Sequence, residues 1–286
     1  MKRILGFLYL CIFMLFRLFS NQPVYAFENQ AQAQELAMKL RNVIDDANKT
    51  KDASRRFELL KSGADQAFDS CKENLMVREI ISKSLRESAK VESVATKADM
   101  IRTALLETLV ILTFKPKVEA PVPAGFPAPT PVGVVEIKKL PVYRMAKVAN
   151  GGGNGSFFTL FNHIKKNNIE MTAPVEMTMA EKNGKFTESS MAFLYQQTTL
   201  GKTGPQGNVA VLDTTESLVA SIGMIGSPST TALDSAKRWL LEKIKASSQP
   251  YEVVGELRVM GYNSPFMPEK LRYYEVQLAL KANEKK

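Results

Sequence analysis

His163 is the only histidine among the 286 residues and is the clearest candidate for metal chemistry. It lies in the segment FFTLFNHIKK, whose spacing predicts a helix with Phe157, Leu160, Phe161 and Ile164 in one apolar sector. A metal site built from several histidines is excluded, because the chain has no second one. Two interpretations of His163 stay open: an axial ligand to a haem iron, or a solvated or locally hydrogen-bonded side chain on the flank of the helix.

Methionines form a second cluster, in the stretch NNIEMTAPVEMTM at residues 167–179. The alternation of apolar and polar residues from position 169 predicts a strand with Met171, Met177 and Met179 on one face. Pro174 has no amide donor, so it must lie at an edge or a bulge of that strand. Thioether sulfur binds soft metals, but such a site would usually include a histidine or a cysteine. Core packing and the wall of an apolar pocket are the two interpretations that remain.

No catalytic hallmark, such as a Ser/His/Asp motif, is found in the sequence. Glu170 and Glu176 are six positions apart on the predicted strand, where they are expected to face solvent and not to form a carboxylate pair. The string NGGGNG at 150–155 lacks the Lys-Ser/Thr ending of a P-loop, so it is predicted to be a flexible loop. Once an N-terminal signal carrying Cys11 is lost, Cys71 has no cysteine partner and is expected to be a buried structural thiol. We therefore expect that the protein is not an enzyme.

Three stretches of different composition organise the chain. Residues 27–114 place apolar residues at spacings of three and four and contain no proline, which predicts a small domain of three or four helices. These helices either pack on one another or offer a surface to a protein partner. Residues 115–133, KPKVEAPVPAGFPAPTPVG, are rich in proline and are predicted to be an extended linker. Residues 134–282 alternate strand and helix patterns.

The C-terminal stretch 134–282 repeats its own plan. The helix that precedes EMTAPV has a counterpart in TALDSAKRWLLEKIK, which precedes ELRVMGYNSPF. Aligning the two helices pairs Leu160 with Leu240 and Ile164 with Ile244. Two strand–helix–strand halves would form one curved sheet with two helices. The expected fold class is therefore α+β, preceded by a small all-α domain.

The first 26 residues have the features of an export signal. Lys2 and Arg3 precede an apolar run at 4–19, and the small-residue pattern VYA precedes Phe27. We expect an exported protein, periplasmic or extracellular, attached to a membrane only if this segment is not cleaved. The formal charge is +9, from 38 basic and 29 acidic side chains. Because the two signs are interleaved and not clustered, no nucleic-acid partner is expected.

Residues 134–282 resemble the SOUL or haem-binding-protein family. The resemblance is carried by FFTLFNHIKKNN running into IEMTAPVEM, then by VVGELRVMGYNSPFMP and RYYEVQL. It implies a distorted β-barrel or curved sheet with two helices and an internal pseudo-twofold. It also implies that haem, a porphyrin or another small apolar tetrapyrrole binds at a hydrophobic cleft beside the first helix.

The binding residues that the resemblance implies lie on that first helix. They are Phe157, Leu160, Phe161, His163, Ile164 and Lys165, with Lys165 or Lys166 near the propionates and His163 as the candidate iron ligand. The sequence departs from the family pattern in two ways: the loop between Asn168 and Met171 is short, and His163 stands where a tyrosine is common. The short loop could alter the cleft, and the histidine could supply an iron ligand.

Overall fold

The computed structural model describes residues 24–149 and 154–282. Positions 1–23 of the expected export signal lie outside the described residues, as do positions 150–153 of the glycine-rich string. The described residues form six α-helices and a nine-stranded sheet, with four of the helices preceding the sheet. This arrangement confirms the expected α+β class with a helical domain in front.

The helical domain consists of α1 (Val24–Lys49), α2 (Ala53–Ser70), α3 (Leu75–Ala89) and α4 (Val94–Thr113). Three of these helices begin after a capping residue, because Asp52, Asn74 and Ser93 each accept a hydrogen bond from the backbone N–H three positions ahead. Their apolar faces pack on one another, and Leu60 and Ile101 are among the side chains with no exposed surface. Within the described part of the chain, no helix has the length and apolar composition needed to cross a membrane.

The sheet lies in the C-terminal half of the chain together with two helices. Its strands are β1 (Val135–Leu140), β2 (Arg144–Ala149), β3 (Val175–Lys182), β4 (Lys185–Leu194), β5 (Gly204–Gln206), β6 (Val209–Asp213), β7 (Ser217–Ile225), β8 (Tyr251–Gly261) and β9 (Tyr273–Ala282). The helices are α5 (Asn154–Lys166) and α6 (Thr230–Lys245), and a short 3-10 turn spans Glu269–Leu271. Neighbouring strands pair antiparallel in the order β1-β7-β9-β8-β3-β4-β2-β6-β5, and the curved sheet does not close.

The strand order contains the internal repeat that the sequence predicts. On one side of the β8–β3 pair lie β9 and β7, and on the other side lie β4 and β2. Each half therefore runs strand, helix and hairpin: β2-α5-β3-β4 in the first half and β7-α6-β8-β9 in the second. Leu160 of α5 and Leu240 of α6, which align in the sequence, are both fully buried where their helices pack on the sheet.

Both faces of the sheet are covered. Helices α5 and α6 pack on one face. The proline-rich segment 115–133, which we call the strap, lies against the other. The backbone N–H of Ala173 donates to the Pro121 carbonyl at 2.9 Å, and the N–H of Ala124 donates to the Gln196 carbonyl at 2.9 Å. The strap, which lies between α4 and β1 in the chain, therefore packs against the sheet.

Charged side chains are buried beneath the strap. Glu275 on β9 is only 1% exposed, and its carboxylate accepts from the Thr130 N–H at 2.5 Å and from the Lys138 ammonium at 3.0 Å. Burial opposes the charged form, but Lys138 and the Thr130 N–H outweigh it and lower the pKa of Glu275. Strand β9 therefore has one polar face and one apolar face, and both are buried.

Helix α3 holds the helical domain against α6. The Trp239 indole N–H and the Arg238 guanidinium both donate to the Glu79 carboxylate, at 3.0 and 2.6 Å. The Asn74 side-chain amide donates to the Val132 carbonyl at 2.8 Å. At least part of the outer surface of the helical domain therefore binds the C-terminal domain of the same chain.

The methionine-rich segment differs in two respects from the predicted strand. The strand begins at Val175 and not at 169, because the residues before it form an irregular stretch with a cis Ala173–Pro174 peptide bond. A register shift between Thr178 and Met179 also interrupts the single face expected for the methionines. The methionines nevertheless pack among apolar side chains, with Met177 between the cores under α5 and α6.

Glu176 was expected to face solvent, and that expectation is wrong. It is buried, and it accepts a hydrogen bond from the Tyr143 hydroxyl at 2.9 Å. The Arg258 guanidinium lies 3.7 Å from the same carboxylate. Apolar and polar residues do alternate along β3. The polar face, however, is directed toward the strap and not toward water.

Candidate functional site

Helix α5 carries all the residues that the sequence places in the ligand site, and it presents them in different directions. Leu160 and Ile164 are buried, and they pack among apolar side chains of the sheet such as Phe193 and Val211. These two residues hold the helix on the sheet. A ligand can reach them only if α5 moves.

An aromatic surface lies on one flank of α5, and we call Phe157, Phe158 and Phe161 the aromatic shelf. The rings of Phe157 and Phe161 are nearly parallel, with centroids 6.2 Å apart, and Phe158 meets Phe157 edge-on at 5.9 Å. Phe157 also contacts the buried ring of Phe193 at 5.1 Å, which anchors the shelf to β4. Phe158 and Phe161 are 60% and 41% exposed. Large exposed aromatic side chains in one place are typical of a binding surface.

His163 is half-buried and contacts a residue that the sequence analysis did not single out. Its Nε2 lies 2.9 Å from the hydroxyl of Tyr195, which follows β4. Burial, and to a smaller extent the nearby Lys166 ammonium, lowers the pKa of the imidazole below its ordinary value. His163 is therefore neutral at pH 7 and locally hydrogen-bonded.

Tyr195 is itself held firmly by its surroundings. Its backbone N–H donates to the Arg144 carbonyl at 2.8 Å. The Arg144 guanidinium makes two hydrogen bonds with the Asp213 carboxylate, at 2.7 and 2.8 Å, and also donates to the Gly201 carbonyl. A Cβ at Gly201 would come within 3.3 Å of the Tyr195 ring, and the φ of +67° there also favours glycine. The hydroxyl that meets His163 is thus in a fixed position.

Basic side chains follow the shelf at the end of α5. Lys165 and Lys166 are exposed in the last turn of the helix. They suit an anionic group on a ligand, and they also lie where positive charge favours the helix dipole.

The structure therefore divides the six expected binding residues. Phe157, Phe161 and Lys165 lie toward one exposed flank, Leu160 and Ile164 face the sheet, and His163 turns toward Tyr195. Phe158 and Tyr195 were missed. The pair of adjacent phenylalanines could have drawn attention to Phe158, whereas no local pattern connects Tyr195 with His163.

The aromatic shelf offers an exposed apolar surface, and His163 turns away from it toward Tyr195. The shelf is an exposed surface and not an enclosed cavity. Two grooves are found away from it: one of about 460 Å³ between α3 and α4, lined in part by Trp239, and one of about 350 Å³ on α6. Among the described residues, no cluster of three or more His, Cys, Asp or Glu side chains could hold a metal ion.

Comparison with known proteins gives one family assignment. The SOUL heme-binding protein family matches residues 131–279, which is just over half of the chain. No curated protein matches the sequence.

Solved structures resemble about half of the chain, at low identity and low TM-score. An uncharacterized conserved protein from Listeria innocua has a TM-score of 0.43 at 11% identity, covering 54% of this chain and 94% of its own. The EcmrR C-terminal domain has a TM-score of 0.39 at 13% identity, covering 51% of this chain and 96% of its own.

Proposed function

Since this chain belongs to the SOUL heme-binding protein family, we propose that its C-terminal domain binds one haem or related tetrapyrrole on the aromatic shelf of α5. The observation that carries the proposal is the shelf itself, in which three phenylalanines are held together and two of them are 60% and 41% exposed. A flat macrocycle would cover them and gain hydrophobic and aromatic contact. The role is binding and not catalysis.

Each part of the shelf has a distinct task. Phe158 and Phe161 contact the ring face, while Phe157 ties that surface to Phe193 in the sheet. Leu160 and Ile164 fix the helix from below and do not touch the ligand. The bound tetrapyrrole supplies a conjugated ring and anionic side groups, and the chain supplies an apolar surface with lysines at its end.

Titration with haem tests this proposal. The wild-type chain should show a saturable Soret shift with a stoichiometry of one haem per chain. Phe161→Ala should weaken binding about tenfold, since losing about 1.4 kcal/mol of aromatic contact costs one decade in Kd. Leu241→Ala is the matched control, because Leu241 occupies the equivalent position on α6 and is also 41% exposed. Unsaturable uptake, or equal losses in both variants, would sink the proposal.

We also propose that the protein is exported, with residues 1–26 as the signal. The support is the sequence pattern alone: basic residues, an apolar run and the VYA motif ahead of Phe27. Mass spectrometry of the protein from its native cells should find a mature chain that begins at Phe27. A chain that retains its first residues inside the cell would contradict export.

A further inference from the structure

A phenylalanine stands almost entirely in water on the loop between β8 and β9. This segment, 263–272, has the sequence NSPFMPEKLR, and we call it the tip loop. Phe266 is 93% exposed, more than any other large apolar side chain that the structure describes. Leu271, near the end of the same loop, is 48% exposed. Apolar side chains that protrude together in this way are typical of a surface that binds something.

The tip loop holds Phe266 outward through hydrogen bonds to its own backbone. The Arg272 guanidinium donates to the Met267 carbonyl at 2.7 Å and to the Pro265 carbonyl at 2.6 Å. These two carbonyls belong to the residues on either side of Phe266, so the backbone that carries the ring is fixed. The exposure of the ring is therefore a feature of an ordered loop, and binding through it costs little further ordering.

The strap supplies the other side of the same surface. The Asn263 side-chain amide donates to the Lys117 carbonyl at 2.6 Å, and the Ser264 N–H donates to the Glu119 carboxylate at 2.6 Å. Val118, which lies between these two contacts in the sequence, is 37% exposed. The beginning of the strap thus places a further apolar side chain beside the tip loop.

Positive charge accompanies these apolar side chains. Residues 115–119 and 263–272 together contain four basic and two acidic side chains, a formal charge of +2. One of the cations, Arg272, lies directly at the backbone of Phe266 and binds carbonyl and hydroxyl oxygens of the chain. Lys270 is exposed in the short 3-10 turn that follows the ring. An exposed aromatic ring surrounded by cations complements a membrane whose headgroups are anionic.

We propose that the tip loop docks the protein on an anionic lipid surface, with Phe266 inserted among the acyl chains and Lys117, Lys270 and Arg272 facing the lipid phosphates. A lipid surface fits better than a protein partner because a single protruding ring offers little area. A specific protein interface buries about 800 Å² on each partner, whereas a bilayer yields around one side chain. One ring and three cations should give reversible binding of the order of 10⁴ M⁻¹, as a single acyl chain does.

This docking surface is separate from the haem site. The tip loop contacts the strap, which lies on the face of the sheet opposite α5. Phe266→Ala should therefore reduce lipid binding and leave the haem titration unchanged, so the two proposals can fail independently.

Vesicle binding by the mature chain from Phe27 tests the proposal. The protein should co-sediment with vesicles that contain phosphatidylglycerol and much less with vesicles of phosphatidylcholine alone. Phe266→Ala should weaken binding to the anionic vesicles about tenfold, and Lys270→Ala about fivefold. Leu241→Ala is the apolar control, because Leu241 is 41% exposed on α6. Lys185→Ala is the charge control, since the β3–β4 hairpin lies at the far end of the strands from the tip loop.

A fluorescent reporter shows directly whether the ring enters the bilayer. Trp239 is the only tryptophan of the chain and is 6% exposed, so its emission should not respond to vesicles. Phe266→Trp adds a tryptophan at the tip, and anionic vesicles should shift the added emission to shorter wavelength.

Three results would overturn the proposal. The first is an added emission that anionic vesicles leave unshifted, or equal vesicle binding by wild type and Phe266→Ala. The second is equal binding to both kinds of vesicle, which would remove the role of the cations. The third is a wild-type dimer in analytical ultracentrifugation that Phe266→Ala dissociates, because Phe266 would then be covered by a second copy of the chain and not by lipid.

Discussion

The buried pair of Lys138 and Glu275 offers the sharpest test of how the strap and the sheet stabilise each other. Replacing Lys138 with methionine removes the cation and keeps most of the side-chain volume. The Glu275 carboxylate would then remain in a site that is 1% exposed, without a counter-charge. Removing one partner of a buried ion pair typically costs about 3–5 kcal/mol.

The remaining contacts place the expected loss at the lower end of that range. Without Lys138, Glu275 still accepts hydrogen bonds from the Thr130 N–H at 2.5 Å and the Gln277 amide at 2.9 Å. We therefore expect Lys138→Met to lower the free energy of unfolding by about 3 kcal/mol. For a chain of this size the loss corresponds to a Tm lower by about 6–12 °C.

Glu275→Gln should cost less than Lys138→Met. Its buried ammonium partner would still donate to the Ala128 carbonyl at 2.6 Å and lie 3.8 Å from the Glu136 carboxylate. We expect a loss of about 1–2 kcal/mol. The double variant should be less destabilised than the sum of the two single variants by at least about 1 kcal/mol, because neither charge is left alone.

The pH dependence gives an independent check. The folded-state pKa of Glu275 is lowered from 4.5, so its contribution to stability is present above pH 4.5 and is lost as the pH falls through the folded-state pKa. In Lys138→Met the carboxyl can take up a proton at a higher pH, so the deficit should be largest at pH 7 and should shrink toward pH 4. Urea denaturation at both pH values measures this. A variant within 1 kcal/mol of wild type at pH 7, or strict additivity in the double variant, would refute the reasoning.

Three further predictions concern packing, backbone conformation and thiol reactivity. Leu160 is fully buried, so Leu160→Ala should lower the free energy of unfolding by about 3 kcal/mol in chemical denaturation. Phe158 is 60% exposed, so Phe158→Ala should change that free energy by less than about 0.5 kcal/mol. The same Phe158→Ala variant should bind haem more weakly in a titration. Gly133 and Gly184 both have positive φ, which disfavours alanine at either position. Only at Gly133 would the new Cβ also lie 2.3 Å from the side chain of Asn74, which caps α3. Gly133→Ala should therefore lower the thermal unfolding temperature far more than Gly184→Ala. Burial raises the pKa of Cys71 to about 11, so its thiol should react with a disulfide reagent at pH 8 only after denaturant is added.

Local patterns were sufficient for the helices and for the repeat. The spacing of apolar residues over 27–114 predicts three or four helices, and the structure has four, with the first break between Lys49 and Ala53. Helix periodicity and capping depend on residues a few positions apart, which a single sequence displays directly. The same holds for the two helices of the C-terminal half, whose aligned leucines are both buried.

The faces of the strands could not be assigned in the same way. In the sequence Glu176 of β3 and Glu275 of β9 each stand between apolar residues, but a period of two says only that a strand has two sides. Whether the polar side meets water depends on what lies over it. Here the strap lies over it, and proline content predicts that such a segment is extended without indicating the surface on which it rests.

His163 shows the same limit at the scale of a single side chain. Its position away from the centre of the apolar sector follows from the sequence, and the structure places it on the flank of α5 as expected. Its partner, Tyr195, comes 32 residues later, after a hairpin, and only the paired strands β3 and β4 bring it back beneath the helix. Because Nε2 of the imidazole lies 2.9 Å from that hydroxyl, the hydrogen bonding of the only imidazole in the chain depends on a strand pairing. A motif that places a histidine on a helix therefore cannot by itself identify an iron ligand.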